Sequence, residues 1–190
     1  MAEEGAWIEP SPEPPTYIRF KGIWDMQDLY ESIADWFRKR KYKFHEKIYK
    51  HKHPSPFGVE RQYVWLAVRD ETEYLEIQYN LYIHTYDAHD VETAMSNGKT
   101  KTFTKGRIWI EIKTNWVLDH AKRFDKNSFY RHIKDFYNKY IIRKRIMQLV
   151  NPKYRAEMFA LHAFVKHRLK MESDEYEHAH TGGFRKKLSL

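Results

Sequence analysis

KGRIWIEIKTNWVLDHAKRFDKNSFYRHIKDFYNKYIIRKRIMQLV, residues 105–150, joins one long alternating stretch to the longest helical pattern in the chain. In its first part Ile108, Ile110, Ile112, Thr114, Trp116 and Leu118 fall on one parity, and Trp109, Glu111, Lys113, Asn115 and Asp119 on the other. Strand side chains alternate between faces, so this pattern predicts a β-strand that is apolar on one side and wet on the other. In its second part Phe129, Ile133, Phe136, Tyr137 and Tyr140 recur at three and four, the stripe of an amphipathic helix. A sheet with one apolar face and a helix with one apolar stripe bury each other, and we expect that pairing to seed the fold.

Working outward, residues 1–16 form an acidic, Pro-rich arm with Pro10, Pro12, Pro14 and Pro15, expected to be extended, with Trp7 and Ile8 as anchors. Tyr17–Ile23 alternates as a short strand. Asp25 then caps a helix whose buried stripe is Leu29, Ile33, Trp36 and Phe37. Strand patterns follow at 42–50, 60–69 and 74–86, separated by the breaker HPSPFG (53–58) and the polar Asp70-Glu71-Thr72. Ser96-Asn97-Gly98-Lys99 signals a hairpin between a short strand near Val91 and the 105–118 strand. Asn151-Pro152 reads as the start of a further helix, with Met158, Leu161, Val165 and Leu169 as its stripe. The expected fold class is α+β: an antiparallel meander of about five to six strands, a first helix after strand one, and two C-terminal helices packed on one face. The expected division is an arm at 1–16, an α+β domain at 17–150, a C-terminal helix at 151–171 and a polar, basic tail at 172–190.

This order over residues 17–150 resembles the helix-grip arrangement of the START and Bet v 1-like superfamily, in which a curved antiparallel sheet wraps a long C-terminal helix. The resemblance implies a hydrophobic ligand held between sheet and helix, with Trp36, Trp65, Trp116, Phe129 and Phe136 available to line the space.

The chain has 190 residues and no cysteine, which excludes disulfides, thiol catalysis and thiolate metal sites. Its 34 Lys and Arg outnumber 26 Asp and Glu for a net charge of +8. The arm carries four Glu and no base, leaving +12 on the remaining 174 residues. Such a body suits a polyanion or an acidic partner, or self-association through the arms. The opening MAEEGAWIEP has neither a basic n-region nor an apolar h-region, so we expect a soluble intracellular protein not exported by a signal peptide and not bound to membrane.

Three constellations carry chemistry. Arg38, Lys39, Arg40, Lys41, Lys43, Lys47, Lys50 and Lys52 form one basic cluster over 38–53, and Arg143, Lys144 and Arg145 the core of another over 131–155; interleaved Tyr42, Tyr49, Tyr137 and Tyr140 supply rings for stacking or interface area. Glu111 and Lys113 share a strand face in the E-x-K pattern of metal-dependent nucleases, with Asp87 or Asp90 as the second carboxylate. His84, Asp87, His89 and Asp90, with His51 and His53, would hold a metal ion only if a turn brought them together, and His178 with His180 in the tail is a weaker pair. A solvated surface is the plainer reading of each. No cofactor motif is present. The expected function is therefore a non-catalytic interaction or assembly protein, docking its basic, aromatic-rich surface on nucleic acid or an acidic protein, in a setting such as a viral or ribonucleoprotein particle. A helix-grip binder of a hydrophobic ligand and a metal-dependent nuclease are the alternatives.

Overall fold

The structure, a computed structural model, describes residues 7–10, 14–55, 58–94, 100–121, 124 and 128–171. The fold is α+β, and its centre is β6 (Thr100–Leu118), which is paired along both edges. On one side β5 (Leu75–Ala94) runs antiparallel to it from Leu75↔Leu118 to Ala94↔Thr100. On the other side lie β1 (Trp7–Pro10) and β2 (Thr16–Trp24), end to end, with registers Pro10↔Asn115 and Thr16↔Ile112. Beyond β5 the meander continues outward through β4 (Gly58–Asp70) to the edge strand β3 (Lys43–Ser55). β3 ends at Ser55 and β4 begins at Gly58, both within the predicted HPSPFG breaker. The predicted Asn97-Gly98 turn lies outside the described residues.

Alternation gives the sheet two unlike faces. Ile18, Trp65, Ala67, Ile77, Tyr79, Leu81, Ile83, Ile108, Ile110, Ile112 and Trp116 are buried on the inner face. Two helices cover them. α1 (Met26–Lys39) starts at Asp25, whose side chain accepts from the Asp28 N–H at 3.0 Å, a cap worth about 1 kcal/mol. It buries the expected Leu29, Ile33, Trp36 and Phe37. α4 (Asn151–Arg168) buries Tyr154, Met158, Leu161 and Val165. The ends of the two helices are tied to the sheet by polar bonds: Tyr42 donates to Glu157 (2.9 Å), Arg69 to Tyr154 (2.9 Å), and Tyr154 to Glu71 (2.5 Å). No described helix is long and apolar enough to cross a membrane.

The helix that covers the sheet is not the one whose periodicity advertised it. Phe129, Ile133, Phe136, Tyr137 and Tyr140 are between 38% and 70% exposed, while Lys134 (6%) and Asn138 (2%) face inward. Residues 128–168 form one continuous helix: α2 (Ser128–Phe136), a wide π-turn (Tyr137–Ile142), α3 (Arg143–Arg145), a second π-turn (Ile146–Val150) and α4. The positions facing the body, Lys134, Asn138, Ile142, Ile146, Val150, Tyr154 and Met158, recur every four residues. In an unbroken α-helix a four-residue stripe drifts about 40° per step, or roughly 240° across these six steps. The wide turns remove that drift. The second also answers Pro152: Asn151 donates its N–H to the Ile146 carbonyl five residues back, and the next residue has no N–H to place. Asn151 is itself helical and makes no side-chain cap, so the expected helix start there is an interior position instead.

The predicted strand near Val91 is the far half of β5, bent at a bulge. Register passes from Tyr86↔Arg107 to His89↔Lys105, one extra residue on β5, and Asp87 takes φ 52°. Glycines flank the bulge: a Cβ on Gly106 would sit 2.8 Å from the Tyr86 carbonyl oxygen, and one on Gly58 (φ 123°) 2.7 Å from the Asp87 backbone. A Cβ on Gly22, the register partner of Gly106, would meet only the Phe20 ring, which can swing away. Gly106→Ala should therefore cost about 1–3 kcal/mol in urea denaturation, the scale of overpacking, and Gly22→Ala distinctly less; equal losses would contradict the bulge as the rigid element.

Candidate nucleic-acid interface

The outer face of the sheet is built by register. Across it run the rows Arg19–Trp109–His84–Gln62, Lys21–Arg107–Tyr86 and Tyr17–Glu111–Tyr82–Val64. Tyr17 and Trp109 are stacked, with ring centroids 6.1 Å apart and planes 15° from parallel. Tyr82 meets Trp109 edge-on at 5.7 Å, and the rings of His84 and Tyr86 follow along β5. Tyr17 is 51% exposed, and Tyr82, Tyr86 and Trp109 are half-buried, so one side of this aromatic surface is packed and the other wet.

Cations border the rings. Arg19, Lys21, Tyr86, Arg107 and Trp109 line a cleft of about 470 Å³. A second cleft of about 580 Å³ continues from Lys21 and Arg107 over Lys105, His89 and the Asp87 bulge. Arg19, Lys21, Lys105, Arg107 and Lys113 all reach solvent. Arg107 gives Nε and Nη2 to one Asp87 oxygen, at 2.9 and 2.5 Å, which holds its guanidinium beside Tyr86. From the edge strand, Lys50 pairs in register with Gln62 and Lys52 with Glu60, adding charge to the same face. A bulge at Lys47 also turns Ile48 outward, opposite Val64. Chemically this is a platform of π-faces with guanidinium and ammonium groups along one side.

His84 is the titratable group buried within the platform, 8% exposed, with Gln62 at 3.4 Å and Glu60 at 3.6 Å. Burial pushes its imidazole below the ordinary 6.5; Glu60 opposes the shift and Lys52 adds to it. Burial likewise raises the Tyr82 hydroxyl, helped by Tyr86 and Glu111.

The basic residues singled out from the sequence do not form one patch. Arg38 pairs with Asp35 at 3.0 Å, and Arg40 lies 3.7 Å over the Trp36 ring and 3.8 Å from Glu157, both at the end of α1. Lys39 and Lys41 are exposed beside them. Lys43 reaches Asp70 at 3.7 Å and Lys47 is the exposed bulge residue of β3. Arg143, Lys144 and Arg145 are exposed on α3; from Glu157 to Arg145 is about 18 Å of helix. Of the first cluster Lys50 and Lys52 reach the platform face; the platform's other cations, Arg19, Lys21, Lys105 and Arg107, stood in the sequence as ordinary alternating positions. The signal that would have found them is the pairing of β2 with β6.

Glu111 and Lys113 do share the outer face, but Asp87 sits in the bulge, beyond Arg107. Four residues along β6 are about 13 Å, too far for two carboxylates to share an ion, and Asp87 is engaged by Arg107. His84, Asp87 and His89 do not converge either, because the bulge separates the two histidines along the sheet. The three-residue group of possible ligands among the described residues is Asp70, Glu76 and His120, within 4.8 Å of one another; Lys43 and Gln78 already engage its carboxylates. The hydrophobic-ligand space is not assembled as expected: Trp36, Trp65 and Trp116 are core, while Phe129 and Phe136 stand exposed on α2. The side chain of His53, and His178 and His180, lie outside the described residues.

Comparison with protein-family models, with curated proteins and with solved structures finds no match.

A depressed His84 means the unfolded chain holds that proton more tightly than the folded one. Stability conferred by the neutral ring is complete above 6.5 and is lost as pH falls through the folded-state value. Imidazole NMR titration should place His84 below 6.5, and His84→Gln should remove part of the stability difference between about pH 7.5 and pH 5.5; a ring titrating above 6.5 would contradict this.

Proposed function

We propose that the chain is a non-catalytic binding module whose open sheet face holds single-stranded nucleic acid. The observation that carries the reading is the Tyr17–Trp109–Tyr82 ring cluster beside the Arg19, Lys21 and Arg107 cleft. Bases of any sequence stack on exposed aromatic side chains, and each stacked base contributes about 1–3 kcal/mol. Lys and Arg alongside take the phosphates by releasing counterions. A duplex hides its base faces, so a platform of this kind favours an unpaired strand. The rings differ in tilt, which favours stacking of individual bases on individual rings. The net charge of +8 supports long-range attraction of the strand.

Anisotropy with a labelled, unstructured oligonucleotide of about 12 nucleotides tests this. Trp109→Ala should weaken binding about tenfold. Arg19→Glu with Lys21→Glu, both at the surface and so with little cost to folding, should weaken it and flatten the salt slope by about 0.7 for each phosphate no longer neutralised. Lys39→Glu with Lys41→Glu should leave the slope nearly unchanged. Salt-insensitive binding, or platform variants that bind like the unaltered protein, would overturn the reading.

A further inference from the structure

Among the described residues, the two most exposed phenylalanines lie on the helix that begins at Ser128, in a run of exposed apolar side chains. Phe129 is 70% exposed, Phe136 59%, Tyr140 59%, Ile141 50% and Ile133 41%. The body cannot absorb them, because the inward side of this helix is already taken. Lys134 reaches Asp119 at 3.6 Å, Tyr74 donates to Asn138 at 2.5 Å, and Ile146 is buried in the core. Contiguous exposed apolar surface of this kind marks an interaction site.

The stripe's spacing and its surroundings say what covers it. Phe129 and Phe136 stand seven apart, as do Ile133 and Tyr140, the repeat of a seam that receives another helix. Phe136 and Tyr140 pack on each other at 5.0 Å, so the seam has a preformed aromatic centre. Lys144 and Arg145 lie four residues beyond Tyr140 and Ile141, on the same side, and both are exposed. Lys139 borders the stripe over the Tyr140 ring. Leaving aside Lys134, which is turned inward, the exposed Lys and Arg described over residues 128–150 are Lys139, Arg143, Lys144 and Arg145, against one acid, Asp135. Two copies joined through this seam would therefore set like charges together. We infer that the 129–145 face docks an acidic amphipathic helix, with its apolar stripe on Phe129, Ile133, Phe136 and Tyr140 and its carboxylates toward Lys144 and Arg145. This is a different surface from the sheet face and does not depend on it.

The probe is a labelled peptide of about 16 residues, four to five turns, with leucines in heptad spacing and glutamates flanking them. Its twin carries lysine for every glutamate. The full chain should bind the glutamate peptide saturably, less well in high salt, and the lysine peptide not at all. Lys144→Glu with Arg145→Glu should weaken binding roughly tenfold. Phe136→Ser with Tyr140→Ser should abolish it while leaving the thermal melt unchanged, since neither ring supports the core. Equal binding of both peptides, or of neither, overturns the inference. So does concentration-dependent dimerisation by light scattering that the Phe136→Ser, Tyr140→Ser variant abolishes, which would make a second copy the occupant. Cosedimentation with phosphatidylserine vesicles, absent in the same variant and without peptide binding, would likewise replace the helix by a lipid surface.

Discussion

The register of β6 between its two neighbours is the constraint on which the rest depends. A strand's side chains alternate with period two, so a slip of one residue on either side would exchange Ile108, Ile110 and Ile112 for Arg107, Trp109 and Glu111. The Asp87 bulge, with Gly58 and Gly106 pressed against its backbone, inserts one residue at one place and keeps both halves of β5 in step with β6. The inner face can then be continuous core under α1 and α4. The outer face follows from the same arithmetic: the residues that cannot be buried are rings and cations, brought side by side from β2, β6 and β5.

A second regularity shapes the other end of the molecule. Body-facing positions from Lys134 to Met158 recur every four residues, a spacing that an α-helix drifts away from and a π-turn restores. Two wide turns let one helix begin against Asp119 and Tyr74 and finish as a cover on the core. They also decide which side of its first part faces outward. The aromatic stripe with the better α-helical period is turned to solvent, and Lys134 and Asn138, which look solvent-exposed in sequence, are enclosed by Asp119 and Tyr74. Both surfaces proposed for binding thus arise from how backbone periods are resolved, with no catalytic group required.

Much of the fold was legible because it is local. The alternation of β5 and β6, the Asp25 cap, the α1 stripe and the Met158–Leu169 stripe all report burial through spacing within one element. The site was less legible because it is not local. Nothing in Tyr17-Ile18-Arg19-Phe20-Lys21 says that its odd positions will meet Trp109 and Arg107; that depends on strands joined only through the whole meander. Charge density along the chain pointed to 38–53 and 131–155, yet part of that charge is spent on Asp35, Asp70 and Glu157, and of the first cluster Lys50 and Lys52 are the ones that reach the outer sheet face. The helix from 128 misled for a related reason: a clean 3.6-residue stripe shows that a face is apolar, and the sheet was already covered by a later segment.

The most direct test of the central claim is photocross-linking of the full chain to a single-stranded oligonucleotide carrying photoreactive uridines, with the attachment sites read by mass spectrometry. Aromatic rings that stack on bases are the residues placed to capture them. Cross-links at Tyr17, Tyr82, Tyr86 or Trp109 are the predicted result. Cross-links confined to residues 38–47 or 143–145, or none at concentrations where the strand is bound, would contradict a binding face on the outer side of the sheet.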